Sequence, residues 1–354
     1  TIDNSDLNSG TLNSKTEILT AKTLHEGKKL FEISRNPSLK KIAVIGGGYI
    51  GVEAACAFRE ARDDIKIDLY QRSDSILNTY FDKEFSALGQ EELEKHNINV
   101  ILNSTLDSSS KNPKESNTVF DYDLVVEAVG FRPNSSLANV ERIERSNAYK
   151  VNPYGQTSDS DIYAIGDCAS VYNNVLEKDV NMPLGSYATH SAIIAAHHIG
   201  DTLLGSQPKH KHNGSQGASS VKVFDTILSS VGMTYSIAKE KAKEKSGAKD
   251  KFDKNVQFVD FSNVIKPKYL TAEQGNAPIT VRCVFEKSTL KLLGFQIACS
   301  QDITPIIHLL SLALQNKMTA YDLRYLDMFF LPQLNQVYNF LQRTLSLVIK
   351  NNEA

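Results

Sequence analysis

The sequence predicts an α/β fold, in which a domain built on a parallel sheet is followed by a separate α+β domain. The first observation is a short apolar run, Lys41–Ile45, that leads through closely spaced glycines into an alanine-rich, helix-forming stretch at residues 52–61. The second is TSDSDIYAIGD at residues 157–167, a predicted strand that ends in Gly-Asp. The third is that strand-like segments beyond residue 217 precede helical ones without the alternation typical of a parallel sheet.

Three glycines after the first apolar run, Gly46, Gly48 and Gly51, have the G-x-G-x-x-G spacing. Gly46 would allow a tight turn, Gly48 would let backbone approach a pyrophosphate, and Gly51 would let the helix pack on the strand. The pyrophosphate would lie at the positive end of the new helix. The order strand, glycine turn, helix predicts a Rossmann-like dinucleotide-binding domain, and the plain alternative is a turn without a ligand.

The other segments of this domain follow in the expected order. A short strand and a helix are predicted over residues 18–34, and further strands at 65–70, 98–102 and 123–130. Asp82 is the predicted N-cap of a helix that ends at Lys95. Residues 105–118 are polar and predict a surface excursion.

The second half of the chain is predicted as follows. Residues 162–165 form a strand, residues 183–199 a helix, and the Gly/Ser/His/Lys-rich residues 205–217 a linker. The later strands and helices are residues 221–224, 227–231, 279–285, 292–298, 306–316 and 334–349. The run at 239–254 mixes charges and predicts a solvated helical face.

The composition excludes several classes of protein. The 354 residues are 41% hydrophobic and 23% charged, which is typical of a globular chain of more than one domain. A net charge of −2 argues against nucleic acid or an anionic membrane as main partner. The four cysteines are far apart, which predicts a cytoplasmic setting and no zinc site. His210 and His212 alternate with lysines, so no metal is predicted there.

Several motifs, in order, resemble one known family. They are IAVIGGGYIGVEAA, AVGFRPN, TSDSDIYAIGDCASVY, GSQGASSVKVFDTILSSVGMT, LKLLGFQIACSQDITPIIHLLSLALQNKMTAYDL and MFFLPQLNQVYNF. The chain resembles the NADH oxidase, NADH peroxidase and coenzyme A-disulfide reductase branch of the FAD-dependent pyridine nucleotide-disulfide oxidoreductases. GDCASVY and FFLPQLN are most similar to the NADH oxidases.

The resemblance implies a set of cofactor ligands and a division into four parts. The NAD(P) ligands would be Gly46, Gly48, Tyr49, Ile50, Gly51, Glu53, Gln71, Arg72, Tyr80 and Gly130. The FAD ligands would be Asp167, Gly185 and Ser186. The parts would be a linker segment at 1–36, the NAD(P) domain at 37–147, the C-terminal part of a FAD domain at 148–205 and an α+β dimerisation domain at 206–354.

The sequence also departs from the family pattern. The family's first glycine fingerprint, which grips the ADP half of FAD, and its redox cysteine would both lie before Thr1, so we expect the N-terminal half of the FAD domain to be absent. The acid at the end of the family's second strand is Gln71 here, followed by Arg72. An acid there would bond the ribose hydroxyls and would repel a 2′-phosphate. Gln71 has no charge and removes that repulsion.

The resemblance therefore implies a flavin-dependent NAD(P)H oxidase that uses FAD and NADH, with NADPH as the alternative coenzyme, and acts as a homodimer. One rival interpretation is a peroxidase or disulfide reductase of the same branch. Another, of a different class, is a catalytically silent chain that binds nucleotide and dimerises. The sequence leaves the small-molecule electron acceptor open.

Overall fold

The computed structural model describes residues 16–106, 118–246, 256–265, 268–271 and 274–353. The chain divides into two compact units. The first comprises Thr1–Gly130 together with Val221–Leu228, and the second comprises Phe131–Ser220 and Ser229–Ala354. The α/β fold class is confirmed, with a parallel sheet in the first unit.

The first unit is built on a five-stranded sheet in the order β1-β5-β2-β3-β4, in which every strand pair is parallel. Its elements are β1 Glu17–Thr20, α1 Leu24–Ser34, β2 Lys41–Ile45, α2 Tyr49–Ala61, β3 Lys66–Gln71, α3 Lys83–Lys95, β4 Ile98–Leu102 and β5 Leu124–Glu127. The middle residues of the three central strands are buried and mostly apolar, as is typical of parallel strands covered on both faces. This sheet brings the C-terminal ends of β2, β3 and β5 to one edge.

One buried carboxylate interrupts the apolar sheet. Asp68 in β3 accepts hydrogen bonds from the Tyr122 hydroxyl and the Asn99 amide, both at 2.8 Å, and Lys66 Nζ lies 3.3 Å away. The Tyr70 hydroxyl lies 2.8 Å from that of Tyr122, and it donates because the Tyr122 hydrogen is directed at Asp68. Burial, and then the hydrogen bond that Tyr122 donates to the Asp68 carboxylate, raise the pKa of Tyr122 far above its ordinary value.

The second unit contains a short hairpin, a long helix and most of a second sheet. The elements from here on are β6 Ser170–Asn173, β7 Lys178–Asn181, α4 Gly185–Leu203, β8 Ser219–Val223, β9 Thr226–Gly232, α5 Tyr235–Ser246, β10 Val256–Ile265, β11 Ile279–Glu286, β12 Leu292–Cys299, α6 Thr304–Gln315, α7 Ala320–Arg324 and α8 Phe340–Glu353. Of these, β8 and β9 each belong partly to the first unit, which includes Val221–Leu228. The sheet order is β10-β11-β12-β9-β8, and the pairs β10–β11 and β11–β12 are antiparallel. Val281, Phe285, Leu310, Leu341 and Leu345 lie in one buried core.

Two predicted elements are corrected. Residues 162–165 form no strand, because Tyr163 makes only an isolated bridge with Gln156 before the chain turns into a 3₁₀ helix at Gly166–Cys168. The last helix begins at Phe340 and not at residue 334. Asn339 acts as its cap, since its side-chain oxygen accepts the N–H of Gln342 at 2.9 Å.

The other predicted elements are present with shifts at their ends. α4 begins two residues after the predicted residue 183, at Gly185, and extends to Leu203. Strand 123–130 is confined to Leu124–Glu127. No sequence pattern predicted β6, β7, β10 or α7. Most of the predicted excursion at 105–118, and part of the charged run at 239–254, lie outside the described residues.

The Asp68 network generates a stability prediction. Tyr122→Phe is expected to lower the free energy of unfolding by about 1.5–3 kcal/mol, because it removes a hydrogen bond to a buried charge. Tyr70→Phe is the matched control and is expected to cost only about 0.5–1.5 kcal/mol, because its hydroxyl donates to a neutral oxygen. Urea unfolding of both variants measures the difference. An equal or larger loss for Tyr70→Phe would contradict this description of the network.

Candidate functional site

The glycine loop joins β2 to α2 at the edge of the parallel sheet. Gly46 has φ +107°, and a Cβ added there would lie 2.4 Å from the carbonyl oxygen of Ala128. A Cβ on Gly51 would lie 1.8 Å from the carbonyl oxygen of Gly46. Both positions therefore require glycine, because the start of α2 and the ends of two strands approach within backbone contact.

Gly48 has a different environment. It is the N-cap of α2, and a Cβ added to it would meet no atom within 4 Å. Since glycine has no side chain that could cap the helix, the first N–H groups of α2 have no cap from this residue. The loop thus combines a positive helix end with open space in front of Gly48, which fits a pyrophosphate.

Two predicted side chains meet beside this loop. The ring of Tyr49 stacks on that of Tyr80, with centroids 4.5 Å apart and planes 8° from parallel. Burial raises the pKa of the Tyr80 hydroxyl. Desolvation likewise raises the pKa of Glu53, on the next turn of α2. The predicted residue Ile50 lies on the first turn of α2. The predicted residue Gly130 lies beyond β5 and has φ +100°.

The C-terminal end of β3 is joined to the glycine loop by one side chain. The carbonyl oxygen of the Gln71 side chain accepts the N–H of Gly47 at 3.0 Å. Its amide nitrogen donates to the Ser73 hydroxyl at 2.6 Å and to the carbonyl oxygen of Ser75 at 3.2 Å. Gln71 therefore closes the turn after β3 onto the loop after β2. Arg72, the next residue, is exposed.

The predicted FAD residues lie in the second unit. Asp167 is exposed in the 3₁₀ turn Gly166–Cys168, and its backbone carbonyl accepts the side-chain N–H of Asn181 at 2.8 Å. α4 packs against this turn, and the N–H of Gly166 donates to the Ser191 hydroxyl at 3.1 Å. Gly185 and Ser186 begin α4 and are exposed. The Asp167 carboxylate accepts no hydrogen bond from the rest of the described chain.

Two further groups were considered as chemical centres. Cys168 is partly buried and its thiol contacts the carbonyl oxygen of Ile165 at 3.3 Å. Glu92, His96 and Asp225 bring potential metal ligands within 4.8 Å of one another, a grouping that no sequence pattern indicated. The Lys95 ammonium already pairs with Glu92 at 2.9 Å, so one of these three potential ligands is engaged within the protein.

Two family models match the chain: pyridine nucleotide-disulphide oxidoreductase over residues 7–197, and the dimerisation domain of that family over residues 218–339. The NADH oxidase of Streptococcus pyogenes is 34% identical over 313 residues, 86% of this chain and 64% of that protein. The NADH oxidase of Lactococcus lactis is 32% identical, over 90% of this chain and 69% of that protein. The NAD(P)H coenzyme A polysulfide/persulfide reductase of Pyrococcus horikoshii is 27% identical, over 91% of this chain and 68% of that protein.

Solved structures give the same similarity. The water-forming NADH oxidase from Lactobacillus brevis, bound to NADH, has a TM-score of 0.80 and 25% identity, over 95% of this chain and 71% of that one. An engineered NADPH oxidase derived from it, bound to NADPH, has a TM-score of 0.79 and 25% identity, over 95% of this chain and 71% of that one. Three of its substitutions are at consecutive positions: Asp to Ala, Ala to Arg and Met to Ser.

The extent of these matches bears on one expectation. The chain spans 64% of the length of the Streptococcus relatives. The first family match begins at residue 7, so the expectation that the N-terminal half of the FAD domain is absent has no support.

Among the residues that the structure describes, no helix has the length and apolar character needed to cross a membrane. With one family model over more than half of its residues, the chain belongs to the pyridine nucleotide-disulphide oxidoreductase family.

Proposed function

We propose that the protein is a flavin-dependent NAD(P)H oxidase, which transfers hydride from the nicotinamide to FAD and passes the electrons to oxygen. The observation that carries this proposal is the glycine loop, where open space before Gly48 meets the uncapped start of α2. The NADH oxidase relatives support the choice of reaction.

The chain's own residues would bind and orient the dinucleotide. The N–H groups at the start of α2 would hold the pyrophosphate, and the stacked Tyr49 and Tyr80 would lie on the nicotinamide side. Glu53, whose pKa is raised, would accept or hold a proton near that ring more readily than an ordinary glutamate. Gly130 would leave space for the nicotinamide, since a Cβ there would meet no atom within 4 Å.

The second unit would hold the flavin side of FAD. The Asp167 carboxylate, free of partners among the described residues, suits the hydroxyl donors of the ribityl chain. Gly185 and Ser186 would present the exposed start of α4 to the flavin. When bound, FAD supplies the two-electron redox chemistry, and the protein supplies orientation and exclusion of water. The sequence has a single G-x-G-x-x-G spacing, so we assign no residues to the ADP half.

A second candidate acceptor has an observation in its favour. The persulfide reductase relative supports reduction of a sulfur substrate on the same scaffold. NADH peroxidase activity, coenzyme A-disulfide reduction and the catalytically silent nucleotide-binding chain are the remaining alternatives. All of them keep the nucleotide site. The enzymes among them differ in what consumes the electrons, and the silent chain has no turnover.

We further propose a homodimer, cytoplasmic location and the four-part division of the chain given above. The match to the family's dimerisation domain supports the homodimer. The segment before α8 also exposes four large apolar side chains, Phe329, Phe330, Leu331 and Leu334, between 43% and 66% exposed. Such a contiguous patch is typical of an interface between proteins. All four cysteines are free thiols, which fits a reducing compartment.

The oxidase proposal is tested by turnover with defined acceptors. The protein, supplied with FAD, is expected to consume oxygen when NADH is added, faster than it reduces peroxide, coenzyme A disulfide or polysulfide. An oxygen electrode and loss of nicotinamide absorbance measure the rates. Faster reduction of another acceptor would contradict the oxidase proposal and favour the alternative that uses that acceptor. Nucleotide binding without any turnover would favour the catalytically silent chain.

The flavin site gives a separate prediction. Asp167→Ala is expected to weaken FAD binding at least about tenfold, since it removes a charged acceptor of hydrogen bonds. Asp161→Ala is the matched control, because Asp161 is exposed in the same segment. Flavin fluorescence titration compares the two variants. Equal affinities would refute the role given to Asp167.

The glycine loop is tested by two alanine substitutions. Gly48→Ala is expected to leave the melting temperature unchanged and to weaken NADH binding at least about tenfold, because the methyl group occupies only the space meant for the pyrophosphate. Gly51→Ala is expected to lower the melting temperature as well, because its Cβ would lie 1.8 Å from the Gly46 oxygen. Calorimetric titration with NADH and thermal unfolding separate the effects. Wild-type NADH affinity in Gly48→Ala would refute the site.

The dimer proposal is tested by light scattering at micromolar concentration. The protein is expected to have twice the mass of one chain, and Phe329→Asp combined with Phe330→Asp to produce the monomer. Leu24→Asp is the control, because Leu24 is 77% exposed in the first unit. A folded wild-type monomer would contradict the proposal.

A further inference from the structure

The turn after β3 offers no carboxylate for the ribose of a bound dinucleotide. Where an acid is present at the end of the second strand, it accepts hydrogen bonds from the ribose hydroxyls and repels a 2′-phosphate. Gln71 occupies this place, and both ends of its amide are engaged by Gly47, Ser73 and Ser75. The amide is neutral and already bonded within the protein.

The two nearest aspartates do not substitute for the missing acid. Asp68 is 1% exposed in mid-strand and is bonded to Tyr122 and Asn99. Asp74 lies in the turn, and its carboxylate pairs with the Lys83 ammonium at 2.9 Å. That pair lowers the pKa of Asp74 and balances its charge, so the turn presents no unpaired negative group among the described residues.

One positive group remains available at this end of the sheet. Arg72 follows Gln71 directly, is exposed, and forms no ion pair or hydrogen bond with the rest of the described chain. The guanidinium presents a planar fork of donors that suits phosphate oxygens. The neighbouring Ser73 hydroxyl is held by the Gln71 and Asn78 amides and by Ser75, which fixes the backbone that carries Arg72.

We propose that the adenosine end of the dinucleotide site accepts a 2′-phosphate through Arg72, so that the coenzyme class is NADP(H) at least as readily as NAD(H). This inference rests on the proposed function, because it names the coenzyme of that same site. Gln71 contributes because its neutral amide does not repel the 2′-phosphate. Arg72 is the specificity-determining residue.

The test separates the 2′-phosphate from the rest of the coenzyme. Calorimetric titrations use 5′-AMP and 2′,5′-ADP, two probes that differ by that phosphate alone, on the wild-type protein at low and high salt. 2′,5′-ADP is expected to bind at least as tightly as 5′-AMP, with an advantage that shrinks at high salt because the contact is exposed. NADH and NADPH titrations should follow the same order.

Three variants identify the residues responsible. Arg72→Ala is expected to weaken 2′,5′-ADP at least about tenfold and to leave 5′-AMP unchanged. Gln71→Glu introduces a negative charge and is expected to weaken 2′,5′-ADP more than 5′-AMP; because it also loses the donors to Ser73 and Ser75, its melting temperature is measured beside its affinities. Arg145→Ala is the matched control, because Arg145 is an exposed arginine of the second unit and its loss changes the net charge equally.

The outcomes distinguish this inference from the proposed function. If 5′-AMP binds and Arg72→Ala leaves the ratio of the two affinities unchanged, the inference is wrong and the dinucleotide site stands. If neither probe nor either coenzyme binds the folded protein, the dinucleotide site itself is refuted and the inference with it. Selective loss of 2′,5′-ADP affinity in Arg72→Ala, absent in Arg145→Ala, supports it.

Discussion

The first unit depends on one close approach of backbone to backbone. The position of a Cβ on Gly51 would be 1.8 Å from the Gly46 oxygen, so α2 begins almost in contact with the turn that leaves β2. Only glycine at both positions permits this contact. The contact directs the start of α2 toward the edge of the sheet, and the space before Gly48 exists because the helix begins there. The anion site proposed at this edge would thus be a consequence of packing.

The sequence predicted this part of the molecule because its cause is local. Gly46, Gly48 and Gly51 are neighbours in the chain, and their spacing carries the constraint without knowledge of distant residues. β2, α2, β3 and α3 were predicted for the same reason, since each is indicated by its own apolar residues or its own helix-forming composition. The resemblance to a family named Tyr49 and Tyr80 separately, but their stacking was not predicted, because no periodicity connects residues 31 positions apart.

The predictions failed where the cause is a partner elsewhere in the chain. An apolar run at residues 162–165 reads as a strand, but a strand needs a continuous neighbour, and Tyr163 bridges only Gln156. The start of α8 is a different case, because its cause is local: Asn339 caps the helix, and the prediction followed the apolar residues before this cap. The grouping of Glu92 and His96 with Asp225 joins a helix to a distant turn, and no local pattern predicts such a group.

Gln71 shows how a structural requirement can fix a property of the site. Its side-chain oxygen accepts the Gly47 N–H, which a carboxylate would also do, but its nitrogen donates to the carbonyl oxygen of Ser75. A carboxylate has no donor for that carbonyl oxygen and would leave two acceptors facing each other. The turn after β3 in its observed form therefore favours an amide over an acid. The neutrality of the Gln71 side chain follows from hydrogen bonds inside the protein, before any coenzyme binds, and the exposed guanidinium of Arg72 lies directly after it.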